Sequence, residues 1–402
     1  MSKDKLNEFN QQLHWADQFV KEHLIPIEHE IIHADFASVE SRLAELRETV
    51  KQQGLWAPHM PESIGGTCQS LEALGRLSEV LGQTPIGHYV FGCQAPDAGN
   101  IELLANFGSS EQQQTWLQPL IDGSIRSCFA MTEPDTAGSN PTLLKTRAEL
   151  ANDQWVINGR KWFTSSADGA DVCIVMAVTD EDATKHQRAS MFIVPKSTPG
   201  FKIIRNISVM GEPGSGYFSH SEVDFRDCKV PKNALLGGVG EGFALAQTRL
   251  GPGRIHHCMR WLGICRRALN IMIDYANKRQ VSSRHSLGDM QTIQNWIAES
   301  AAEIEAARCL VLKTAEQIEL LGFMKAKTQV SMIKYFTANV LQNVLDRSLQ
   351  TLGALGMTDD TIIAFFFRHE RAARIYDGPD EVHKNLVARS LLKTNLHQSS
   401  HK

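Results

Sequence analysis

The sequence has no Cys-x-x-Cys pair, no long hydrophobic run and no cluster of basic charge. Its eight cysteines, at positions 68, 93, 128, 173, 228, 258, 265 and 309, are scattered. That spacing argues against a disulfide framework and fits reduced thiols, mostly small core residues, in a cytoplasmic or matrix-like compartment. The apolar runs, Thr361 to Phe367 and Val172 to Val178 among them, fall far short of the roughly 20 residues a spanning helix needs. Met1 to Asn10 is polar and lacks an apolar signal core, so a soluble protein with no membrane span is expected. A formal net charge of -4 with pI near 6.4 leaves no basic excess, which argues against nucleic acid as the main partner. There is also no internal repeat and no low-complexity tract.

What is present is size and texture. A chain of 402 residues that is 42% hydrophobic exceeds one compact core, so two or three domains are expected. From Lys5 to about Phe107 apolar residues recur at helical spacing, as in Leu71, Leu74, Leu77, Val80 and Leu81. Between Ser127 and Val230 the texture turns to short β-branched runs, Gln154 to Ile157, Val172 to Val178, Met191 to Val194, Phe201 to Ile207 and Glu222 to Phe225. Past Gly237 to Gly242 the helical period returns, with Trp296, Ile297, Ile304, Val311 and Ile318 on one face and Val330, Ile333, Val340, Leu341 and Val344 on another. The expected fold class is α+β: a helical domain over 1–126, a β domain over 127–235 and a helical bundle over 236–395.

Two stretches carry chemistry. Arg374-Ile375-Tyr376-Asp377-Gly378-Pro379-Asp380-Glu381-Val382-His383 sets a carboxylate on a tight bend between helical patterns, where it could be aimed as a base; the plainer reading is a helix N-cap. Cys128 to Ser139 is rich in small residues and hydroxyls that let backbone amides approach a planar or phosphorylated ligand. Together they point to a cofactor enzyme that takes a proton from carbon. Two other matches are decoys. His29-Glu30-Ile31-Ile32-His33 spells a zinc-protease signature without an evident third ligand, so no metal site is expected. Gly238-Val239-Gly240-Glu241-Gly242 lacks dinucleotide-fold spacing and reads as a loop leading into a helix.

With these motifs in place, the chain resembles the flavin-dependent acyl-CoA dehydrogenase family along nearly its whole length. The likeness is strongest to the branch of acyl-CoA dehydrogenase family members 10 and 11. It is carried by Val90 to Asp97, Met131 to Asp135, Gly251 to His257, Trp296 to Ser300 and Asp377 to His383. The resemblance implies a three-domain fold with a central barrel-like β domain and a C-terminal four-helix bundle. It also implies a stand-alone form without the kinase-like domain of animal members, and a non-covalent FAD shared with a second subunit of a homodimer or homotetramer.

The same resemblance distributes roles. Asp377 takes the place of the catalytic base, usually Glu, one methylene or roughly 1.5 Å longer; its amide would help bind the thioester oxygen. Phe129, Met131, Thr132, Ser139, Phe163, Thr164 and Ser165 fall where relatives line the flavin. Arg279, Gln350 and Gly353 match contacts to the neighbouring subunit's FAD, although Ser282 and Ser283 replace an aromatic and a glycine of the family. Pro379 and Glu381 stand where Thr and Gln are usual at the last FAD turn. For CoA, the matching positions are Ser139, Gly251, Arg254, Gly378 and Arg389, Arg389 being equally readable as a surface ion-pair residue. Some relatives carry their base just before the arginine matched by Arg254, where this chain has Gly253. Gly92 and Ala95 fall on the floor of the acyl pocket.

The leading expectation is α,β-desaturation of an acyl-CoA in fatty-acid metabolism, with hydride passing to flavin N5 and electrons on to an electron-transfer flavoprotein. Processing of a 4-hydroxyacyl or 4-phosphoacyl-CoA is a specialised version. A nitroalkane-oxidase-like flavoprotein and a non-catalytic acyl-CoA-binding scaffold are the alternatives.

Overall fold

The computed structural model describes residues 3–67 and 70–399, so Cys68 lies outside the described residues. Helices α1 (Lys3–Phe19), α2 (Phe36–Gln52), α3 (Leu71–Leu81) and α4 (Asp97–Phe107) come first. The strands follow: β1 (Ser127–Ala130), β2 (Arg147–Ala151), β3 (Gln154–Ser165), β4 (Val172–Val178), β5 (Ala189–Pro195), β6 (Phe201–Asn206), β7 (His220–Pro231) and β8 (Leu235–Leu236). Helices α5 (Gly242–Lys278), α6 (Gln291–Leu321), α7 (Phe323–Leu352), α8 (Ile362–Glu370) and α9 (Asp380–Ser399) close the chain.

By compactness the chain divides into two units. Unit one gathers Met1–His29, Cys68–His88 and Gly253–Lys402; unit two gathers Glu30–Thr67 and Tyr89–Pro252. The division falls inside α5, where Pro252 has no N–H to give the helical ladder.

Unit one is helical. Helix α7 buries Val330, Ile333, Val340, Leu341 and Val344 along the stripe its periodicity predicts, and packs on α6, α8 and α9. On α6 the buried face runs through Ile293, Ser300, Ile304, Ala307, Val311 and Ala315, while Trp296, Ile297 and Ile318 sit half-buried at its edge. Small residues let α3 and α5 cross closely. A Cβ on Gly82 would lie 2.2 Å from the Arg260 carbonyl and one on Gly263 2.1 Å from that of Glu79, contacts only glycine permits. Arg308 closes a two-pronged pair on Glu79, at 2.7 and 2.8 Å.

Unit two holds a sheet in the order β6-β7-β3-β2-β4-β5-β8, with β1 added in parallel to β4. Every residue of β4 is buried, as a near-continuous Val/Ile/Met/Ala run requires when both faces are covered. The core joins Trp155, Ile157, Val175, Phe192, Val223 and Phe225. Three strands escaped the sequence reading. β2, Arg-Ala-Glu-Leu-Ala, is mostly exposed and made of residues that favour helices; β1 is four residues long and β8 two. Cys93, Cys128, Cys173 and Cys228 in this unit, and Cys258 and Cys265 in unit one, are buried free thiols; only Cys309 among the described cysteines is exposed.

Among the described residues no helix is long and apolar enough to cross a membrane. Glu30 of the zinc-like motif pairs with Arg42 at 2.6 Å. The glycine-rich loop is a helix lead-in, with the Gly238 N–H donating to Glu241 Oε2 and the Gly240 N–H to Ser190 Oγ.

Candidate functional site

In unit one, the bend between α8 and α9 is built from two consecutive left-handed residues, Asp377 at φ +53° and Gly378 at φ +101°. Aspartate is among the few side chains that tolerate this region, and Gly378 is obligatory: a Cβ there would sit 2.8 Å from His383 Nε2. Helix α9 begins at Asp380, and the Pro379 carbonyl accepts from the Val382 and His383 amides. The cap position therefore belongs to Pro379, not to Asp377.

The bend is clamped from three helices. Arg254 of α5 donates through Nε to the Asp377 carbonyl at 3.0 Å, and His383 Nε2 lies 3.1 Å from the same oxygen. Lys334, fully buried on α7, donates to the Ala373 and Gly378 carbonyls at 2.7 and 2.8 Å, one on each side of the bend. Arg374 Nε reaches buried Asp380 at 2.7 Å, and Asn339 adds a second bond to the same oxygen.

The carboxylate itself meets α5. Asp377 Oδ2 lies 3.2 Å from His257 Nε2, both side chains being about one-fifth exposed. Gly253 stands one helical turn before His257, and a Cβ added there would touch Oδ2 at 3.4 Å. The His257 ring stacks on Trp261 and leans on Tyr376, with centroids 5.8 and 4.8 Å away. Beneath them, Arg260 and Trp261 Nε1 both donate to Glu370 and to the Tyr376 hydroxyl. Burial, with Glu370 nearby, pushes the Tyr376 phenol up. Burial lowers Lys334 to about 8, partly offset by Asp377 and Asp380. It also lowers Arg254 and holds His256 and His383 near 4, neutral at pH 7.

In unit two, the residues matched to flavin contacts gather where β1 runs out beside a bulge in β3. Buried Lys161 donates to the Met131 carbonyl and to Glu133, each at 2.9 Å, and Glu133 also accepts from the Lys145 and Thr146 amides. Thr132 Oγ1 donates to the Trp162 carbonyl while the Trp162 amide donates back to the Thr132 carbonyl. The β3–β7 register slips between Lys161 and Thr164, and Phe163 takes φ +48°. The slip turns a phenylalanine outward, leaving it 44% exposed. Thr164 points the other way: its hydroxyl is wholly buried without a partner among the described residues, so the outward hydroxyl of this strand end is that of Ser165, 2.8 Å from His220 Nδ1. Phe129 lies under the Arg249 guanidinium at 4.1 Å. Ser139 is exposed in the loop after β1, and Gly251 is buried in α5.

The remaining matched positions of unit one are on its surface. Gln350 lies in the last turn of α7, and Gly353, at φ +61°, has no atom of the described residues within 4 Å of where a side chain would start, so its backbone is open to a ligand. Arg279, Glu381 and Arg389 are exposed. Arg389 lines a cavity of about 550 Å³ with Lys327, Lys393, Val382 and Leu386.

Sequence reasoning missed His257, Lys334, Tyr376 and His383. Two signals were readable. Gly253, His257 and Trp261 fall at i, i+4 and i+8, one helical face, and Lys334 interrupts the apolar stripe of α7 four residues after Val330.

A helical N-terminal part, a β part with a bulge-turned aromatic and a helical part with a clamped carboxylate define a class, and the comparisons name it. The chain matches, in order, the acyl-CoA dehydrogenase N-terminal domain over residues 7–124, its middle domain over 128–228 and its C-terminal domain over 240–392. It is 41% identical to acyl-CoA dehydrogenase family member 10 of Mus musculus across 94% of this chain and 36% of that protein. Identity to FadE2 of Mycobacterium tuberculosis is 42%, across 87% of this chain and 85% of the relative. A solved chain from Mycobacterium abscessus superposes with a TM-score of 0.90 at 34% identity, covering 96% of this chain and 98% of that one. The protein belongs to the acyl-CoA dehydrogenase family, whose members are FAD-dependent oxidoreductases. It spans between 36% and 50% of the length of the curated vertebrate relatives it matches.

Proposed function

We propose that this protein is an FAD-dependent dehydrogenase of acyl-CoA thioesters, forming the trans-2-enoyl-CoA with Asp377 as the base. The observation that carries the reading is the Asp377–Gly378 bend. Three side chains, Arg254, His383 and Lys334, fix its backbone, and the helix that follows does not use Asp377 as its cap. A carboxylate whose main chain is immobilised is suited to general-base work, where a misplacement of about 1 Å costs on the order of 100-fold. Asp377 would take the proton from the carbon beside the thioester, and the Asp377 amide would donate to the thioester oxygen as enolate charge develops.

Each unit by itself offers residues that fit FAD. Phe163 offers an exposed ring for stacking, and Met131 and Ser165 flank it with polar atoms already fixed by Lys161 and His220. Gln350 and the open backbone of Gly353 suit a phosphate of a neighbouring subunit's FAD, as does Arg279. When bound, FAD supplies the hydride acceptor. Ser139, Gly251, Arg254, Gly378 and Arg389 are assigned to acyl-CoA, and an electron-transfer flavoprotein is the proposed electron acceptor of a homodimer or homotetramer.

The test is anaerobic titration of the purified protein with straight, branched and 4-substituted acyl-CoAs, reading flavin absorbance. Bleaching by at least one thioester, abolished in Asp377→Asn, is the expected outcome. A colourless protein, or an Asp377→Asn variant that bleaches as fast as the parent, overturns the reading. Peroxide formed from nitroethane, with no response to acyl-CoA, would transfer the base to nitroalkane chemistry.

A further inference from the structure

We propose that His257 is a positioning residue for the Asp377 carboxylate: its Nε2, 3.2 Å from Oδ2, meets that oxygen with its N–H and presents the base in one orientation, and Gly253, one turn earlier, leaves the room that arrangement needs. The inference rests on the reading of Asp377 as the base.

The backbone clamps around the bend fix the main chain of Asp377, but they leave the side-chain torsions of an aspartate to be set by other contacts. At 3.2 Å, His257 Nε2 is the α5 group that meets the carboxylate. The imidazole is itself held. Trp261 stacks on one side and Tyr376 leans on it, and both are tied through Glu370 and Arg260. Helical spacing explains the set, since Gly253, His257 and Trp261 lie one above another on α5. A side chain at 253 would begin 3.4 Å from Oδ2, where anything beyond a methyl would press the carboxylate off the histidine.

The other ionisable groups facing this corner act differently. Arg254, Lys334 and His383 bind carbonyl oxygens of the bend and its approach. Arg374 pairs with Asp380 and Arg260 with Glu370, and His256, half-buried, is the neighbour of His257 in α5. During proton abstraction the bond between hydrogen and the carbon next to the thioester breaks and an O–H bond forms on Asp377. The electron pair stays on the substrate as enolate, and His257 keeps its own proton throughout.

Two substitutions separate orientation from packing. His257→Phe keeps the aromatic stack and removes the donor; His257→Gln keeps a donor and removes the ring. With the holoenzyme and an acyl-CoA that bleaches the flavin, His257→Phe should lower the limiting bleaching rate about ten- to hundredfold, as loss of a hydrogen bond to a charged group predicts. The thioester dissociation constant should stay within about threefold. The acid limb of the rate profile should move up by about one pH unit, because the lost donor favoured the ionised carboxylate. His257→Gln should stay within about fivefold of the parent on every measure. In protein carrying ¹⁵N-histidine, the ring signal absent from His257→Gln should be displaced in Asp377→Asn without any acyl-CoA. If His257→Phe equals or outperforms His257→Gln, or weakens thioester binding while leaving the limiting rate and the acid limb in place, the proposal is wrong. Asp377→Asn that still bleaches sinks the base assignment itself; Asp377→Asn inert beside a His257→Phe variant at the parental rate sinks only the role of His257.

Discussion

Lys161 in unit two and Lys334 in unit one are both fully buried, both brought by burial to about 8, and both bonded to main-chain carbonyls beside residues matched to ligand contacts. They differ in where their charge is answered. Lys161 has a carboxylate at 2.9 Å, Glu133, which also holds the start of β2 through two amides. Lys334 has no such pair in its short contacts: its ammonium is spent on two carbonyls, while Asp377 and Asp380 act on it only through space. A paired buried charge is architecture, costly to break. A cation bound to carbonyls on both sides of a bend aims whatever the bend carries.

The contrast breaks most visibly at Glu133. Glu133→Gln leaves Lys161 unpaired inside the β unit and should cost on the order of 3–5 kcal/mol in urea unfolding. An unchanged midpoint would show that the pair is replaceable. At the other lysine, Lys334→Met keeps volume but releases both carbonyls. Its expected signature is a fall of about 30- to 100-fold in the rate of flavin bleaching, with a stability loss smaller than that of Glu133→Gln. Equal damage to stability in both variants would erase the distinction.

A pH scan sharpens the comparison further. His383, held near 4 by burial, stays neutral in the folded chain while its unfolded counterpart binds a proton below about 6.5. Stability from this group is therefore intact above pH 6.5 and lost as pH falls to about 4, a change on the order of 3 kcal/mol. His383→Gln should flatten that part of the curve, and a curve as steep as the parent's would place the acid sensitivity elsewhere. The smallest expected effect is at Phe163. Phe163→Leu removes an exposed ring, so stability should change by less than about 0.5 kcal/mol, while FAD retention during dialysis should weaken about threefold to tenfold.

Much of the architecture was legible because periodicity reports burial. The stripe Val330, Ile333, Val340, Leu341 and Val344 predicted the buried face of α7, and the run Val172 to Val178 predicted a strand, which is buried along its whole length. The same logic failed where burial was slight or the element short, as at β1, β2 and β8. Site residues named through a family motif, such as Asp377, Phe163 and Gly353, were findable because the motif keeps them adjacent in sequence. His257 and Lys334 left only helical-face signals, and His383 nothing that marked it as a partner of the bend. They come from α5, α7 and α9, and nothing local in the chain says that these helices converge on one bend.

Residue types and their spacing alone determined the order of helical, β and helical segments and the carboxylate set before a glycine, while the family came from resemblance to known sequences. Tertiary structure decided what that carboxylate faces. Left-handed backbone at Asp377 and Gly378 directs it, the empty position at Gly253 admits it, and His257 meets it. The physical reason is that hydrogen bonds act over about 3 Å in space, whereas Asp377 stands more than a hundred positions from Gly253 and His257 along the chain, a distance that only helix packing can close.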